Sequence, residues 1–238
     1  MGKTAIVTGA SKGIGYSVMK MLVEKGVNVV AVSRTKADLE TAAAELASCG
    51  TGEIMIIPAD VAIEADILNI YEEAIQKYGS IDYLINCAGV SQRANYGPED
   101  IVKEEFERIM STNVNSTLYM SREFIKRFTS GYIIQILSTA AYNTGAGAIT
   151  YSASKYASRS IVEGLATALK GSDIRISSIS PGPVNTNIWS HKIEEVPETR
   201  KATMLSPEDI AGIAMFLLST DKNVHIHDVK VEPWHYKK

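Results

Sequence analysis

Seven short β-rich runs, TAIVTGA, VNVVAVS, EIMIIPAD, IDYLINCAG, GYIIQILST, IRISSISPG and VHIHDVKVE, alternate along the chain with longer stretches of helical periodicity. The helical patterns fall near 14–25, 36–48, 64–78, 99–128, 151–169 and 207–218. A strand, a helix and a second strand close as a right-handed crossover, so repeated alternation builds a parallel sheet with helices on both faces. Several of the runs are apolar throughout, as strands buried on both sides require. No Pro/Gly/Ser-rich linker, repeat or low-complexity segment interrupts the 238 residues. The expectation is one α/β domain spanning 1–238, with a doubly wound, seven-stranded parallel sheet.

Composition removes several classes of function. A hydrophobic content of 45% is enough for a substantial core. The net charge is −3 and the isoelectric point about 5.9, with lysines and arginines interleaved among acids, so no basic stripe is available for nucleic acid. The apolar run within MGKTAIVTGA is too short for a secretory signal, and no uninterrupted apolar stretch approaches the roughly 18 residues of a membrane span. A soluble, cytoplasmic protein with no membrane partner is expected. Cys49 and Cys87 lack metal-like spacing and read as free thiols. His225 and His227 would share one face of the last strand, but no Cys, Asp or Glu cluster completes a ligand set. They read as edge-strand or subunit-contact histidines, and no metal is expected.

The segment TGASKGIG, Thr8 to Gly15, follows the first strand directly and opens the first helix. Glycine there lets backbone approach a pyrophosphate, to which the helix N-terminus offers free N–H groups and partial positive charge. A tight strand-to-helix turn would explain the glycines alone, but their place in the first βαβ unit favours the phosphate reading. The spacing TGxxxGxG resembles the short-chain dehydrogenase/reductase family, and four further motifs match in order over essentially the whole chain. The resemblance implies a Rossmann-like domain that binds NAD or NADP through Gly9, Ser11, Lys12, Gly13, Ile14 and Gly15. It places Asp60 and Val61 of PADV at the adenine, and Asn86, Ala88 and Gly89 of NCAG after the fourth strand, where Cys87 replaces the family's second asparagine. Pro181, Gly182, Val184 and Thr186 of PGPVNT match the segment that holds the nicotinamide carboxamide.

At the end of the second strand an acidic side chain would bind the ribose hydroxyls of NAD and repel the extra phosphate of NADP. This chain has Ser33 at that place, followed by Arg34, with Lys12 in the glycine loop. Two cations and no carboxylate at the key position favour NADP(H), because a guanidinium fork suits a phosphate.

The pair in YSASK, Tyr151 and Lys155, stands at i and i+4 and so on one helical face. In the resembled family this is the catalytic pair. Hydride delivered to a carbonyl carbon leaves negative charge on oxygen, which needs a proton from a nearby acid. A free phenol has a pKa of about 10, and a fixed cation one turn away is expected to pull it down. The resemblance therefore makes Tyr151 the general acid/base, and Lys155 the residue that lowers its pKa and bonds the nicotinamide ribose. Ser138, thirteen residues before Tyr151, would hold the substrate carbonyl, and Asn113 of STNVNS would support a water in a proton relay to Lys155.

Substrate contacts are expected from SQRANYG, from TAAYNTGAGAIT, and from a lid at about 187–204 that carries Trp189 and His191. The reading is an NADP(H)-dependent oxidoreductase interconverting a small ketone or aldehyde and its alcohol, hydroxy acids included. The ending VHIHDVKVEPW is similar to that of the NADP-dependent 3-hydroxy acid and serine dehydrogenases. Family members are usually homodimers or homotetramers. A 3-oxoacyl-[acyl-carrier-protein] reductase is the alternative enzyme, although no basic patch for a carrier protein is evident. An NADP-binding sensor without turnover is the non-enzymatic alternative, which loss of Tyr151 or Lys155 would have favoured.

Overall fold

A computed structural model describes residues 2–94, 97–191 and 196–236. Strands β1 (Thr4–Thr8), β2 (Asn28–Ser33), β3 (Ile54–Pro58), β4 (Tyr83–Asn86), β5 (Ser130–Ile136), β6 (Asp173–Pro181) and β7 (Asp228–Val231) form one sheet. Its order is β3-β2-β1-β4-β5-β6-β7. All six pairings are parallel. The chain winds outward from β1 to β3, crosses back to place β4 beside β1, and winds outward again to β7. This is the expected Rossmann-like doubly wound sheet, and its direction reverses between β1 and β4, where such folds hold ligands.

Side-chain alternation along the strands explains why helices cover both faces. Ala5, Val7, Val29, Ala31, Ile85 and Ile134 point to one side, where they pack on α1 (Gly13–Glu24), α2 (Lys36–Leu46) and α8 (Pro207–Ser219). Ile6, Val30, Leu84, Ile133 and Ile176 point to the other, against α3 (Glu64–Tyr78), α5 (Ser116–Arg127) and α6 (Ile149–Ala168). Each such buried Val, Leu or Ile side chain contributes about 1.5–3 kcal/mol. Tyr71 of α3 fixes that layer further, since its buried hydroxyl donates to the Met120 carbonyl of α5 at 2.7 Å.

Three differences from the sequence reading have physical causes. The expected helix over 99–128 is broken into a 3₁₀ turn (Pro98–Asp100), α4 (Lys103–Met110), a π-helical turn (Ser111–Asn115) and α5. The side chains of Ser116 and Thr117 donate to the carbonyls of Thr112 and Asn113, as Ser and Thr do when they compete for helix backbone. The last strand begins at Asp228, so His225 and His227 precede it. Their rings lie 4.2 Å apart, and His225 Nε2 is 2.7 Å from the Ile176 carbonyl. A short helix, α7 (Glu198–Lys201), precedes α8.

Candidate active site

Above the ends of β1, β2 and β4 lies a cleft of about 420 Å³. Thr8 ties two of these strand ends together: its hydroxyl accepts hydrogen bonds from the backbone N–H groups of Cys87 and Ala88, both at 3.1 Å. That tie draws the two strand ends so close that a Cβ on Gly9, at φ +66°, would stand 3.0 Å from the Ala88 nitrogen. On Gly15 it would stand 2.3 Å from the Gly9 carbonyl oxygen. Helix α1 starts at this point with no side-chain cap and no acidic residue in its first turn. Its free N–H groups and positive dipole end face the cleft uncompensated. Glycine backbone close to an uncapped helix start, beside the buried and unpartnered hydroxyl of Ser33, is a fitting cradle for a dinucleotide.

The expected cofactor residues divide in two. Gly9, Ser11, Lys12, Gly13, Ile14, Gly15, Ser33, Arg34, Asp60, Val61, Ala88, Gly89 and Thr186 all line the cleft. Asn86, Tyr151, Lys155, Pro181, Gly182 and Val184 do not. Asn86 is buried at 4% exposure at the end of β4, with neither amide atom hydrogen-bonded. Gly182 donates to the Val231 carbonyl at 2.7 Å, and Val184 bridges to Leu205. Asp60 accepts a hydrogen bond from Ala62 N–H at 3.0 Å, which stabilises the turn after β3. The cleft also holds Asp38, whose carboxylate lies 3.5 Å from the Lys12 ammonium, so this cation is already shared. Arg34 is exposed at the same end.

Beyond Gly89 the cleft meets the second group of residues. Lys155 is buried at 5% exposure, and its ammonium stands 3.7 Å from the place a Cβ on Gly89 would take. It donates to the Ile136 carbonyl at 3.2 Å and lies 5.8 Å from the centroid of the Tyr151 ring. Burial lowers its pKa from 10.5 to about 8, with a small opposing contribution from Cys87. The Cys87 thiol is itself pushed up to about 12, chiefly by burial and against the pull of Lys155.

One expectation is corrected here. The pKa of Tyr151 is raised, because burial of the phenol outweighs everything else, and the side chain that pulls it down is Ser138 through a hydrogen bond. Lys155 is one helical turn from Tyr151, as the spacing required, with its ammonium 5.8 Å from the centre of the ring. Ser138 is held at the end of β5, where its hydroxyl also caps the turn Thr139–Ala141 by accepting from Ala140 N–H. Asn113 lies in the π-helical turn, a type of distortion frequent at functional sites. Its amide accepts from Val90 N–H and donates to the Val90 carbonyl and Ser154 hydroxyl, and its own carbonyl takes hydrogen bonds from Thr117 and Ser158. Its visible work is to tie the segment after β4 to α6.

In the expected lid, Asn187–His191 forms a 3₁₀ turn, and the Trp189 indole donates to the Val184 carbonyl at 2.7 Å. Residues 192–195 and the side chain of His191 lie outside the described residues, as do residues 95 and 96 of SQRANYG. Among the described residues, no group of three or more potential ligands could hold a metal, and no helix is long and apolar enough to cross a membrane. Both cysteines are free. Sequence reasoning missed Thr8 as the strand clamp, Asp38 as the partner of Lys12, and Gln92, whose contacts are described below.

Comparisons with known proteins bear on the family and the fold. The family model described as short chain dehydrogenase matches residues 3–197. An uncharacterized oxidoreductase of Staphylococcus aureus (strain MRSA252) is 31% identical over 234 residues, 97% of each chain. The solved 3-ketoacyl-(acyl-carrier-protein) reductase of Brucella melitensis, complexed with NADH, is 28% identical with a TM-score of 0.87, covering 98% of both chains. A closed form of serine dehydrogenase complexed with NADP+ is 26% identical, TM-score 0.84, covering 96% of this chain and 94% of that one.

Proposed function

The chain belongs to the short-chain dehydrogenase family, and from that premise we propose an NADP(H)-dependent enzyme that interconverts a small ketone or aldehyde and its alcohol, hydroxy acids included. The observation that carries this reading is the gathering of Tyr151, the buried Lys155 and the end of β5, which leads into Ser138, beside a cleft that fits a dinucleotide. Nicotinamide, when bound, supplies the hydride that a carbonyl carbon accepts. The rest is done by the chain's own groups. Burial keeps the Tyr151 phenol protonated, and its proton passes to the carbonyl oxygen as negative charge grows there. Ser138 offers a second hydroxyl to that oxygen and lowers the cost of the phenolate left behind. Lys155, cationic below pH about 8, adds positive potential in a buried setting where charge is weakly screened.

The loop from Gly9 to Gly15 would hold the pyrophosphate, Asp60 and Val61 the adenine, and Asn86, Ala88, Gly89 and the Pro181–Thr186 segment the nicotinamide end. Ser33 in place of an acid, with Arg34 beside it, supports NADP(H) over NAD(H). The pairing of Lys12 with Asp38 makes Arg34 the principal phosphate contact. We place the lid at about 187–204, and read the chain as a single-domain protomer of a cytoplasmic homodimer or homotetramer. A second reading, reduction of a 3-oxoacyl thioester, is favoured by the likeness to the Brucella reductase.

A panel of small oxo acids, diketones, aldehydes and oxoacyl esters, scored by loss of NADPH absorbance, tests the reading. Tyr151→Phe is expected to bind NADPH nearly as before while turnover falls about 10²–10⁴-fold. Comparable turnover in that variant refutes the acid/base assignment.

A further inference from the structure

Helix α6, which presents Tyr151, begins without a cap of its own. Its N-cap residue is Ala148, which has no acceptor, so the N–H of Tyr151 in the first turn has no local side-chain partner. The partner comes from 59 residues away: Gln92 Oε1 accepts from Tyr151 N–H at 3.4 Å and from the Thr150 hydroxyl at 3.1 Å. The other end of the same amide donates to the carbonyls of Ala94, at 2.7 Å, and Gly147. These contacts settle which atom is which, because an N–H can only donate and a carbonyl can only accept. Gln92 is 3% exposed, and its two N–H donors and two acceptor positions are all used.

The amide thus joins three segments that border the same space: the loop after β4, the loop between β5 and α6, and the first turn of α6. The loop after β4 is held from its other side as well. Arg93 N–H donates to the Glu105 carboxylate and Arg108 donates to the Ser91 carbonyl, both from α4. Gln92 is therefore clamped in place and does not simply follow α6. We propose that Gln92 is a positioning residue for Tyr151: it caps the catalytic helix from a distance and sets the first turn, and with it the phenol, against Ser138.

The role assigned to Tyr151 is that of the proposed function, and the test keeps the two separate. In Gln92→Met, which keeps size and removes every hydrogen bond, three readouts are compared with the wild type. Amide hydrogen exchange over 147–153 is expected to speed up while exchange over β1 to β4 is unchanged. The Kd for NADPH is expected to stay within about 2-fold, while kcat falls by up to about 10²-fold, the scale of loss from a misplaced reacting group. The isotope effect with NADPH deuterated at the transferred position is expected to rise, because chemistry becomes slower than product release. Loss of folded enzyme would lower activity without moving that ratio. Gln92→Glu keeps the acceptor facing Tyr151 but sets a carboxylate against two carbonyls, and should leave exchange at 150 and 151 closer to wild type than Gln92→Met does. Unchanged exchange over 147–153 in Gln92→Met overturns the cap. Faster exchange with an unaltered kcat and isotope effect overturns the positioning role. If the wild type reduces no carbonyl offered, the proposed function fails, and the exchange measurement still decides the cap.

Discussion

The cleft over β1, β2 and β4 and the cluster around Tyr151 adjoin at Gly89 but are built by different means. In the cleft, shape comes from backbone: glycines at φ +66° and +59°, strand ends in register at Thr8, Val32 and Asn86, and an uncapped helix start. Around Tyr151, shape comes from side chains reaching far along the chain, Gln92 to Thr150 over 58 residues and Asn113 to Ser154 over 41. A cofactor common to many enzymes is met by geometry that any matching strand-turn-helix unit provides. A substrate pocket is met by polar contacts that must each find a partner. The cleft should therefore fail through steric insertion, and the cluster through loss of a charge or a hydrogen bond.

The largest effect on cofactor affinity is expected on the backbone side. Gly15→Ala sets a methyl 2.3 Å from the Gly9 carbonyl, so the loop itself must shift. NADPH affinity should fall about 100-fold, near 2.8 kcal/mol, measured by fluorescence titration. The fold should lose about 1–3 kcal/mol in denaturant unfolding. Affinity within threefold of wild type would mean that the cradle is not made by that contact.

On the other side the sensitive quantity is charge. The pKa of Lys155 is lowered to about 8, so its ammonium is present below that pH and lost above it. The proposed reduction also draws on a protonated phenol, and the pKa of Tyr151 is raised, so that requirement sets no earlier limit. The value of kcat/KM for reduction should be level below pH 8 and fall about tenfold per unit above it. A profile flat to high pH would remove the lysine from the mechanism. Stability responds in the opposite sense: between about 8 and 10.5 the unfolded chain holds a proton that the folded chain has released, so this group makes folding more favourable as pH rises.

A smaller effect separates the phosphate end from the rest of the cleft. Arg34 is exposed, so water screens part of its attraction. Arg34→Ala should weaken NADPH about 10-fold and NADH less than twofold, by competitive titration. Equal losses would leave the choice of cofactor without a basis.

The same division governs how much could be read from residues alone. The seven strands, their parallel arrangement and the glycine loop were legible because period and glycine spacing are local signals, whereas the order of the strands comes from the structure. Asn113, Ser138, Tyr151 and Lys155 could be named from motif order, but not what each of them touches. The direction of the Tyr151 shift came out reversed because burial is a property of the packed core, and no spacing encodes it. In the sequence Gln92 is one polar residue of a loop, since what makes it matter is the uncapped helix start at Ala148 and the contacts across 58 and 59 residues. The π-helical turn was read as continuous helix because its sequence, STNVN, keeps helical spacing on both sides.

Cys87 lies where the two regions meet, and it gives the smallest expected effect. It lines the cleft, and its main-chain N–H is held by Thr8 whatever side chain it carries. The thiol is near Lys155, an arrangement that elsewhere makes a reactive thiolate. Here the cost of charging the thiol in its packed surroundings outweighs that pull and pushes it up to about 12, so Cys87 is expected to stay protonated near neutral pH and to act as packing. Cys87→Asn and Cys87→Ser should each leave kcat/KM within about threefold, since the geometry of the turn belongs to the backbone. Iodoacetamide at pH 7 should leave turnover intact. Rapid inactivation that NADPH prevents would show that the lysine, and not burial, controls this thiol, and the boundary between a backbone-built cleft and a charge-built cluster would have to move to include it.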